Sequence, residues 1–305
     1  MSHRPLSRYG VVSDEIHADP AVAFAVAEEL GMGSVDLNSL WGKPVTDLAD
    51  AEVETLRLLA QRHHLAVFMV AGLPFKSLVV EGLAPDQLLA APAFREHMLV
   101  LERSLRIARQ LGAACVRVHG FAWPPPPGGG AWPRRPGGGE IPPEVLATIA
   151  AGLRAACAAA AKSGVFLGLE NVRAAYANTG RNLRVIVEAV ADQRLRVVWD
   201  PANAYVSGED LPYPEGHAHI RAHIAHVHVK DARLVDQGRG TTAWECVGRG
   251  AVDWEGQLRA LAADGYTGDL CVETHWSPGG SSGQEATRTA FAALVGIRER
   301  AVGSR

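Results

Sequence analysis

The regular alternation of short β-branched segments with alanine- and leucine-rich helical segments constrains the fold of this chain more than any other feature. The strands are predicted at residues 9–13, 34–38, 65–71, 114–119, 165–170, 195–200, 224–229 and 269–273. Unbroken βα alternation predicts a parallel sheet covered by helices. Eight such units in 305 residues favour an α/β fold of the (β/α)₈ barrel type, one domain spanning residues 1–305. The alternative, a doubly wound sheet, needs a glycine fingerprint in the first βα turn, and SDEIHADP has none.

Composition and charge exclude several classes of protein. A hydrophobic fraction of 48% is enough for a large core, and 30 basic against 33 acidic residues argues against nucleic-acid binding. No segment approaches the roughly 18 apolar residues that span a bilayer, and the first residues lack the apolar core of a secretory signal. The four cysteines form no CxxC pair, as expected of buried, reduced thiols. These features predict a cytoplasmic protein that acts on a small molecule.

Residues 123–143, WPPPPGGGAWPRRPGGGEIPP, interrupt the alternation after the fourth strand. Proline and glycine at this density hold neither a helix nor a central strand. The segment is either a floppy surface insertion or a lid, since loops that follow barrel strands rise from the catalytic face.

Charged residues stand at the ends of four consecutive predicted strands. Strand five ends in Glu170, strand six in Asp200 and strand eight in Glu273, while strand seven carries His226 and His228. Carboxylates and an imidazole that converge on one barrel mouth repel one another unless a cation lies among them. The donor set favours Mn²⁺ or Mg²⁺, with Zn²⁺, Co²⁺ and Fe²⁺ as alternatives. Separate polar caps on the strand ends are the other interpretation.

The strings LGLEN, VVWDPANA, HVHVKDA and, after GRGAVDW, GYTGDLCVE resemble the sugar phosphate isomerase/epimerase family of the xylose-isomerase-like TIM barrel superfamily. The segments SDEI and VDLNSLWGKPVTDL also resemble members of that group. The resemblance implies a divalent metal, with Mn²⁺ as the first choice, held by Glu170, Asp200, His228 and Glu273. It also implies that Glu170 and Glu273 form the acid/base pair. Many epimerases of this family carry DxxH after strand six, with the histidine against the substrate; Asn203 occupies that position here.

Further substrate contacts are predicted from placement at the same end of the barrel. Three of the four lysines follow strands two, three and seven, and tryptophans follow strands two, four, seven and eight. Indole faces stack on sugar rings and ammonium groups donate to hydroxyls. The alternative is that the tryptophans fill gaps between loops or form a homo-oligomer interface. The predicted substrate-binding residues are Trp41, Lys43, Lys76, Lys230 and Trp276, together with His119, Asn203 and His226 at or near the ends of their strands.

Two histidines and one loop admit two interpretations each. His119 ends strand four and is either a capped core histidine or a substrate ligand. His226 lies two residues before His228 on the same strand face, where it either supports the metal site or fills the barrel interior. The loop HWSPGGSSG either binds phosphate or ends in a capping box, Ser282 to Glu285, and the absence of an adjacent Lys or Arg favours the box.

The sequence therefore predicts a divalent-metal-dependent isomerase or epimerase of a keto-sugar or sugar derivative. Glutamate-mediated proton transfer would pass through a metal-bound enediolate. A lyase or dehydratase, in which the same enolate expels a β-substituent, is the first alternative. A non-catalytic sugar-binding subunit of a larger assembly is the second. The expected partner is a small carbohydrate, with no nucleic acid and no membrane, in a chain that forms a homo-oligomer.

Overall fold

Eight parallel strands close into a barrel in a computed structural model that describes residues 8–130, 132–236 and 240–303. Labelled in chain order, the strands β1 to β8 are Tyr9–Val12, Ser34–Leu37, Ala66–Val70, Cys115–His119, Phe166–Glu170, Leu195–Trp199, Ile224–Val229 and Leu270–Val272. Each strand pairs with its sequence neighbours, and β1 pairs with β8 to close the barrel. The predicted single-domain (β/α)₈ barrel is confirmed.

The outer helices follow the strands in the predicted order. Labelled α1 to α8, they are Pro20–Glu29, Asp50–Arg62, Pro92–Leu111, Pro143–Ala160, Gly180–Val190, His217–Ile220, Trp254–Ala263 and Gly283–Val302. Gly112 ends α3 in the left-handed conformation that its lack of a Cβ permits. Ser282 and Glu285 form the predicted capping box of α8.

The βα loops after β6 and β7 carry structure that periodicity did not predict. Pro201–Ser207 is a short helix that begins directly after β6. Asp231–Asp236 and Thr241–Glu245 form an antiparallel hairpin directly after β7. Asp231 fixes the base of this hairpin, since its carboxylate accepts hydrogen bonds from four backbone N–H groups within 3.1 Å. Both elements lie at the carboxyl end of the strands, which we call the mouth.

The proline- and glycine-rich segment is anchored over its second half. The Gly138 carbonyl accepts hydrogen bonds from Asn178 and Asn182, and the Arg135 N–H donates to the Ser207 carbonyl. A Cβ on Gly138 would lie 2.6 Å from Asn178 Oδ1. The interpretation as a wholly floppy insertion is therefore wrong for this half, because buried polar contacts hold it. A lid role stays a prediction and suits residues 124–130.

The helix α4 bears on the expectation that no segment is apolar enough to span a bilayer. Among the described residues it is the helix whose length and composition would allow it to cross a membrane, with a mean hydropathy of 1.2 over 18 residues. Half of it is buried, and Val145, Ile149 and Leu153 belong to the hydrophobic core. An apolar helix of this kind is what a barrel wall requires.

Candidate metal centre and active site

The four predicted ligands meet at the mouth. Glu170, Asp200, His228 and Glu273 each place one ligand atom within 4.8 Å of the others, and all four residues are buried. Parallel strands end at the same rim of a barrel, so residues at matching strand ends come together. Their role as metal ligands stays a prediction, and the geometry tests whether they fit one.

The donor set fits a divalent cation. His228 Nδ1 lies 3.0 Å from Glu170 Oε1 and 3.0 Å from Glu273 Oε2. Asp200 Oδ2 and Glu273 Oε2 are buried and accept no hydrogen bond of good geometry among the described residues, although Lys230 Nζ lies 3.0 Å and 2.5 Å from them. Three buried carboxylates this close together are costly unless cations compensate their charge. Three carboxylates and one imidazole are ligands suited to Mn²⁺, Mg²⁺ or Zn²⁺.

Asp200 is positioned by residues that follow β5 and β6. Its Oδ1 accepts from the Asn203 N–H at 2.8 Å and caps the helix Pro201–Ser207. The Asn171 side chain holds the Asp200 backbone from the other side, by accepting from its N–H at 2.9 Å and donating to its carbonyl at 2.7 Å. Oδ1 is thus engaged by the helix, and Oδ2 alone faces the cluster.

Asp36, a carboxylate behind His228, was missed by sequence reasoning. His228 Nε2 lies 3.3 Å and His226 Nε2 lies 2.7 Å from the same atom, Asp36 Oδ2. With Nε2–H donated to Asp36, His228 turns Nδ1 towards the other carboxylates, where Nδ1 would bind a metal after losing its proton; the proton positions are assigned from the contacts. His226 also stacks on Phe68, with ring centroids 4.2 Å apart. It therefore contacts Asp36 in the barrel interior, and the predicted substrate contact of His226 has no support in this placement.

Arg117 is a second residue that sequence reasoning missed. Its guanidinium is buried, donates to Glu170 Oε2 at 3.1 Å, and also donates to Asn38 and the Ala71 carbonyl. The available signal was an arginine inside an apolar strand, two residues before His119 and therefore on the same face. Arg117 compensates part of the negative charge of the cluster.

The charges of the cluster shift its ionisation. Burial by itself would raise the pKa of Glu170, but the Arg117 guanidinium and His228 outweigh burial and lower this pKa to about 2. Burial is likewise outweighed at Glu273, where Lys230 and His228 hold the pKa well below its usual value. Burial disfavours a charged His228, yet Glu273, Asp36 and Glu170 raise its pKa well above normal. The carboxylates around His228 therefore strongly favour a positive charge within the cluster.

Lys230 lies inside the cluster. Its side chain is buried, with Nζ 3.0 Å from Asp200 Oδ2 and 2.5 Å from Glu273 Oε2. Nζ also lies 5.3 Å from the ring centroid of Trp244, which the hairpin after β7 carries to the mouth. Lys230 is thus ion-paired with two carboxylates of the cluster, and the Trp244 ring lies beside it. Its predicted substrate contact stays a prediction.

His119 is fully buried beside the cluster. Its Nδ1 lies 3.2 Å from the Pro74 carbonyl, and its Nε2 lies 3.8 Å from Glu170 Oε2 without a hydrogen bond. Burial, followed by the nearby Arg117 charge, lowers the pKa of His119 to about 3, so the ring is neutral at pH 7. Since Nδ1–H donates to Pro74, Nε2 is free to accept a hydrogen bond from a substrate hydroxyl.

The other predicted substrate contacts are placed unevenly. Lys43 is 46% exposed and forms a 2.6 Å ion pair with Glu52, apart from the cluster. Burial and the neighbouring Arg117 charge lower the pKa of Lys76, and Glu170 and Glu273 also act on it, which places this lysine near the mouth. Trp41 and Trp276 are half-buried. Their sugar contacts stay predictions.

Asn203 is committed to a structural contact. Its amide Nδ2 donates to the Asn171 carbonyl at 2.9 Å, and its backbone N–H donates to Asp200. The amide therefore braces the loops after β5 and β6. A substrate contact through its other atom stays a prediction.

Comparison with known proteins adds the family. Residues 24–295 match the family described as xylose isomerase-like TIM barrel. No curated protein matches the sequence. Three solved structures are similar to this chain. Their sequence identities are below 20%, so the likeness shows a shared fold. A xylose isomerase-like TIM barrel protein from Mycobacterium smegmatis in complex with magnesium is 17% identical, with 98% of this chain and 99% of that one covered and a TM-score of 0.68.

The other two carry enzyme names. An L-ribulose 3-epimerase is 19% identical over 98% of this chain and 99% of its own, with a TM-score of 0.69. The probable 3-DHS dehydratase AsbF from Bacillus anthracis is 15% identical over 96% and 99%, also with a TM-score of 0.69. Since the family match covers most of the sequence and the barrel agrees with it, the chain belongs to the xylose isomerase-like TIM barrel family.

Proposed function

We propose that this protein is a divalent-metal-dependent isomerase or epimerase of a keto-sugar or sugar derivative. Glu170, Asp200, His228 and Glu273 hold the metal, and Mn²⁺ is the first choice. The observation that carries the proposal is the convergence of three buried carboxylates and one imidazole within 4.8 Å at the mouth. When bound, a divalent cation polarises a carbonyl oxygen and acidifies the adjacent C–H.

The two glutamates supply the proton transfer. Both are ionised at neutral pH, because Arg117 and Lys230 lower their pKa values despite burial. An ionised carboxylate can accept a proton from carbon and, as the resulting acid, return it to the neighbouring carbon. The partner glutamate can protonate the other face after it has taken a proton from solvent. Glu170 and Glu273 approach His228 from two different strands, β5 and the end of β8, as this division of roles requires.

Neighbouring groups orient the substrate. His119 Nε2 is a buried acceptor without a partner, 3.8 Å from Glu170 Oε2, where a sugar hydroxyl can donate to it. Trp244 presents its ring to the mouth beside Lys230. A polyhydroxylated carbonyl compound suits this combination of acceptor, cation and aromatic surface.

A lyase or dehydratase is the second candidate. It shares the first proton abstraction and differs only in the loss of a β-substituent. The fold likeness to a probable 3-DHS dehydratase supports keeping it in the test.

The deciding experiment is deuterium exchange. Metal-loaded protein is incubated in D₂O with ketoses, keto-glucosides and inososes, and NMR follows exchange at the carbon next to the carbonyl, while elemental analysis identifies the metal. Exchange with a rearranged product supports the proposal, and exchange with loss of a β-substituent supports the lyase. Glu273→Gln should abolish exchange, whereas Glu188→Gln, an exposed glutamate paired with Arg184 on α5, should not. If the metal-loaded protein catalyses no deuterium exchange in any compound of the panel, a non-catalytic sugar-binding subunit is the better interpretation.

A further inference from the structure

His275, two residues after Glu273, has an unusual backbone. Its φ is 46°, in the left-handed region that side chains rarely adopt. Trp41, Phe75 and Phe121 also have positive φ, and they follow β2, β3 and β4. Four strained turns thus surround the mouth. Strain of this kind persists only where surrounding contacts enforce it, and it concentrates at functional sites.

Glu15 enforces the conformation of His275. Glu15 lies in the short helix Ser13–Ile16 that follows β1. One carboxylate oxygen accepts from the His275 N–H at 3.1 Å, and the other lies 2.6 Å from His275 Nδ1. The same side chain therefore fixes both the backbone and the ring. Because Nδ1–H donates to Glu15, the free nitrogen is Nε2, assigned from these contacts.

That nitrogen faces the candidate active site. His275 Nε2 lies 4.0 Å from Glu273 Oε1, beyond the range of a direct hydrogen bond. Trp244 packs against the ring at 5.2 Å between centroids, nearly perpendicular, and limits its rotation. The side chain is 37% exposed. Among the described residues, Nε2 forms no hydrogen bond, whereas Nδ1 and the backbone N–H are both bonded to Glu15.

We propose that His275 determines substrate specificity by accepting a hydrogen bond from one substrate hydroxyl, next to the carbon on which Glu273 acts. Glu15 is the positioning residue that directs Nε2 to this hydroxyl. The inference rests on the proposed function and makes it more specific: the substrate carries a hydroxyl on the Glu273 side of its reacting carbon. A histidine that only secured the loop after β8 would not discriminate between substrates.

The test uses the panel sugar that exchanges fastest, together with its monodeoxy analogues, each lacking one hydroxyl. Exchange is measured for the full-length, metal-loaded protein and for His275→Phe and His275→Asn; asparagine tolerates a positive φ, so the second variant protects against misfolding. The wild type should lose about 10- to 100-fold in kcat/KM on one analogue, because Nε2 is left without its donor. Both variants should treat that analogue and the parent sugar alike, with metal content unchanged.

The controls separate the possible causes. His64→Phe makes the same change at another histidine with positive φ, 55°, at the opposite end of the barrel, and should keep wild-type selectivity. Glu15→Ala should lose selectivity although His275 remains, and Glu15→Gln should restore part of it. The inference would be overturned, while the proposed function stands, if the His275 variants kept the wild-type ratio of rates between analogue and parent sugar, even with all rates lowered by one factor. Loss of metal from these variants would also overturn it. If no compound of the panel undergoes deuterium exchange, both this inference and the proposed function are overturned.

Discussion

Replacing Asp36 tests whether the carboxylate behind His228 sets the metal affinity. Asp36 Oδ2 is the common acceptor for His228 Nε2 at 3.3 Å and His226 Nε2 at 2.7 Å. Asp36→Asn keeps the shape and one acceptor oxygen but removes the charge. We expect the metal to bind more weakly, because the carboxylate no longer fixes the His228 tautomer or strengthens Nδ1 as a ligand.

The distances set the size of the effect. Loss of such a supporting partner typically costs 10- to 100-fold in metal affinity, or about 1.4 to 2.8 kcal/mol at 1.4 kcal/mol per factor of ten. The His228 contact, at 3.3 Å, is slightly longer than an ordinary N–H···O bond. We therefore expect a loss nearer to about tenfold. His226→Ala should cost no more, since towards the metal site His226 hydrogen-bonds to Asp36 and otherwise only packs edge-on against the His228 ring, with centroids 5.4 Å apart.

Competition with a chelating dye measures the Kd for Mn²⁺ and Zn²⁺ in each variant. His228→Ala should abolish binding, so the expected order of loss is His228→Ala, then Asp36→Asn, then His226→Ala. Asp47→Asn, at an exposed position of the 3₁₀ turn Val45–Asp47, is the matched control. Circular dichroism confirms that each variant is folded. Unchanged affinity in folded Asp36→Asn would refute the reasoning, and full metal occupancy in His228→Ala would refute the ligand assignment itself.

Four further predictions concern stability and binding. Burial raises the pKa of Glu209 from 4.5 to about 7, so the folded protein retains a proton that the unfolded chain releases. The free energy of unfolding should therefore fall as pH rises through this range, and denaturant titrations of Glu209→Gln should lack that slope. Gly138→Ala should lower the Tm by several degrees, because of the 2.6 Å contact with Asn178 and a φ of 84°. A short Gly/Ser linker in place of residues 124–130 should leave the Tm nearly unchanged; a large drop would show that this half packs too. In fluorescence titrations with panel sugars, Trp244→Ala should weaken binding by about 1–3 kcal/mol without loss of metal. If Trp41→Ala weakens sugar binding more than Trp244→Ala does, the sugar stacks on the tryptophan after β2 instead.

The sequence by itself determined the barrel and the candidate ligands. Helix and strand periodicities are local properties, and eight alternating units leave few topologies. Parallel strands must also end at a common rim. Glu170, Asp200 and Glu273, at strand ends, and His228, within β7, could therefore be grouped before any contact was known.

Only the tertiary structure decided which groups support these residues. Asp36 meets His228 across 192 positions of sequence, and Glu15 meets His275 across 260. The hairpin after β7 brings Trp244 to Lys230, while Lys43, which strand order placed at the mouth, pairs with Glu52 instead. Periodicity fixes the face of a strand on which a side chain lies. The partner it finds there depends on the closure and stagger of all eight strands and on loops whose course has no period, and these are properties of the assembled barrel.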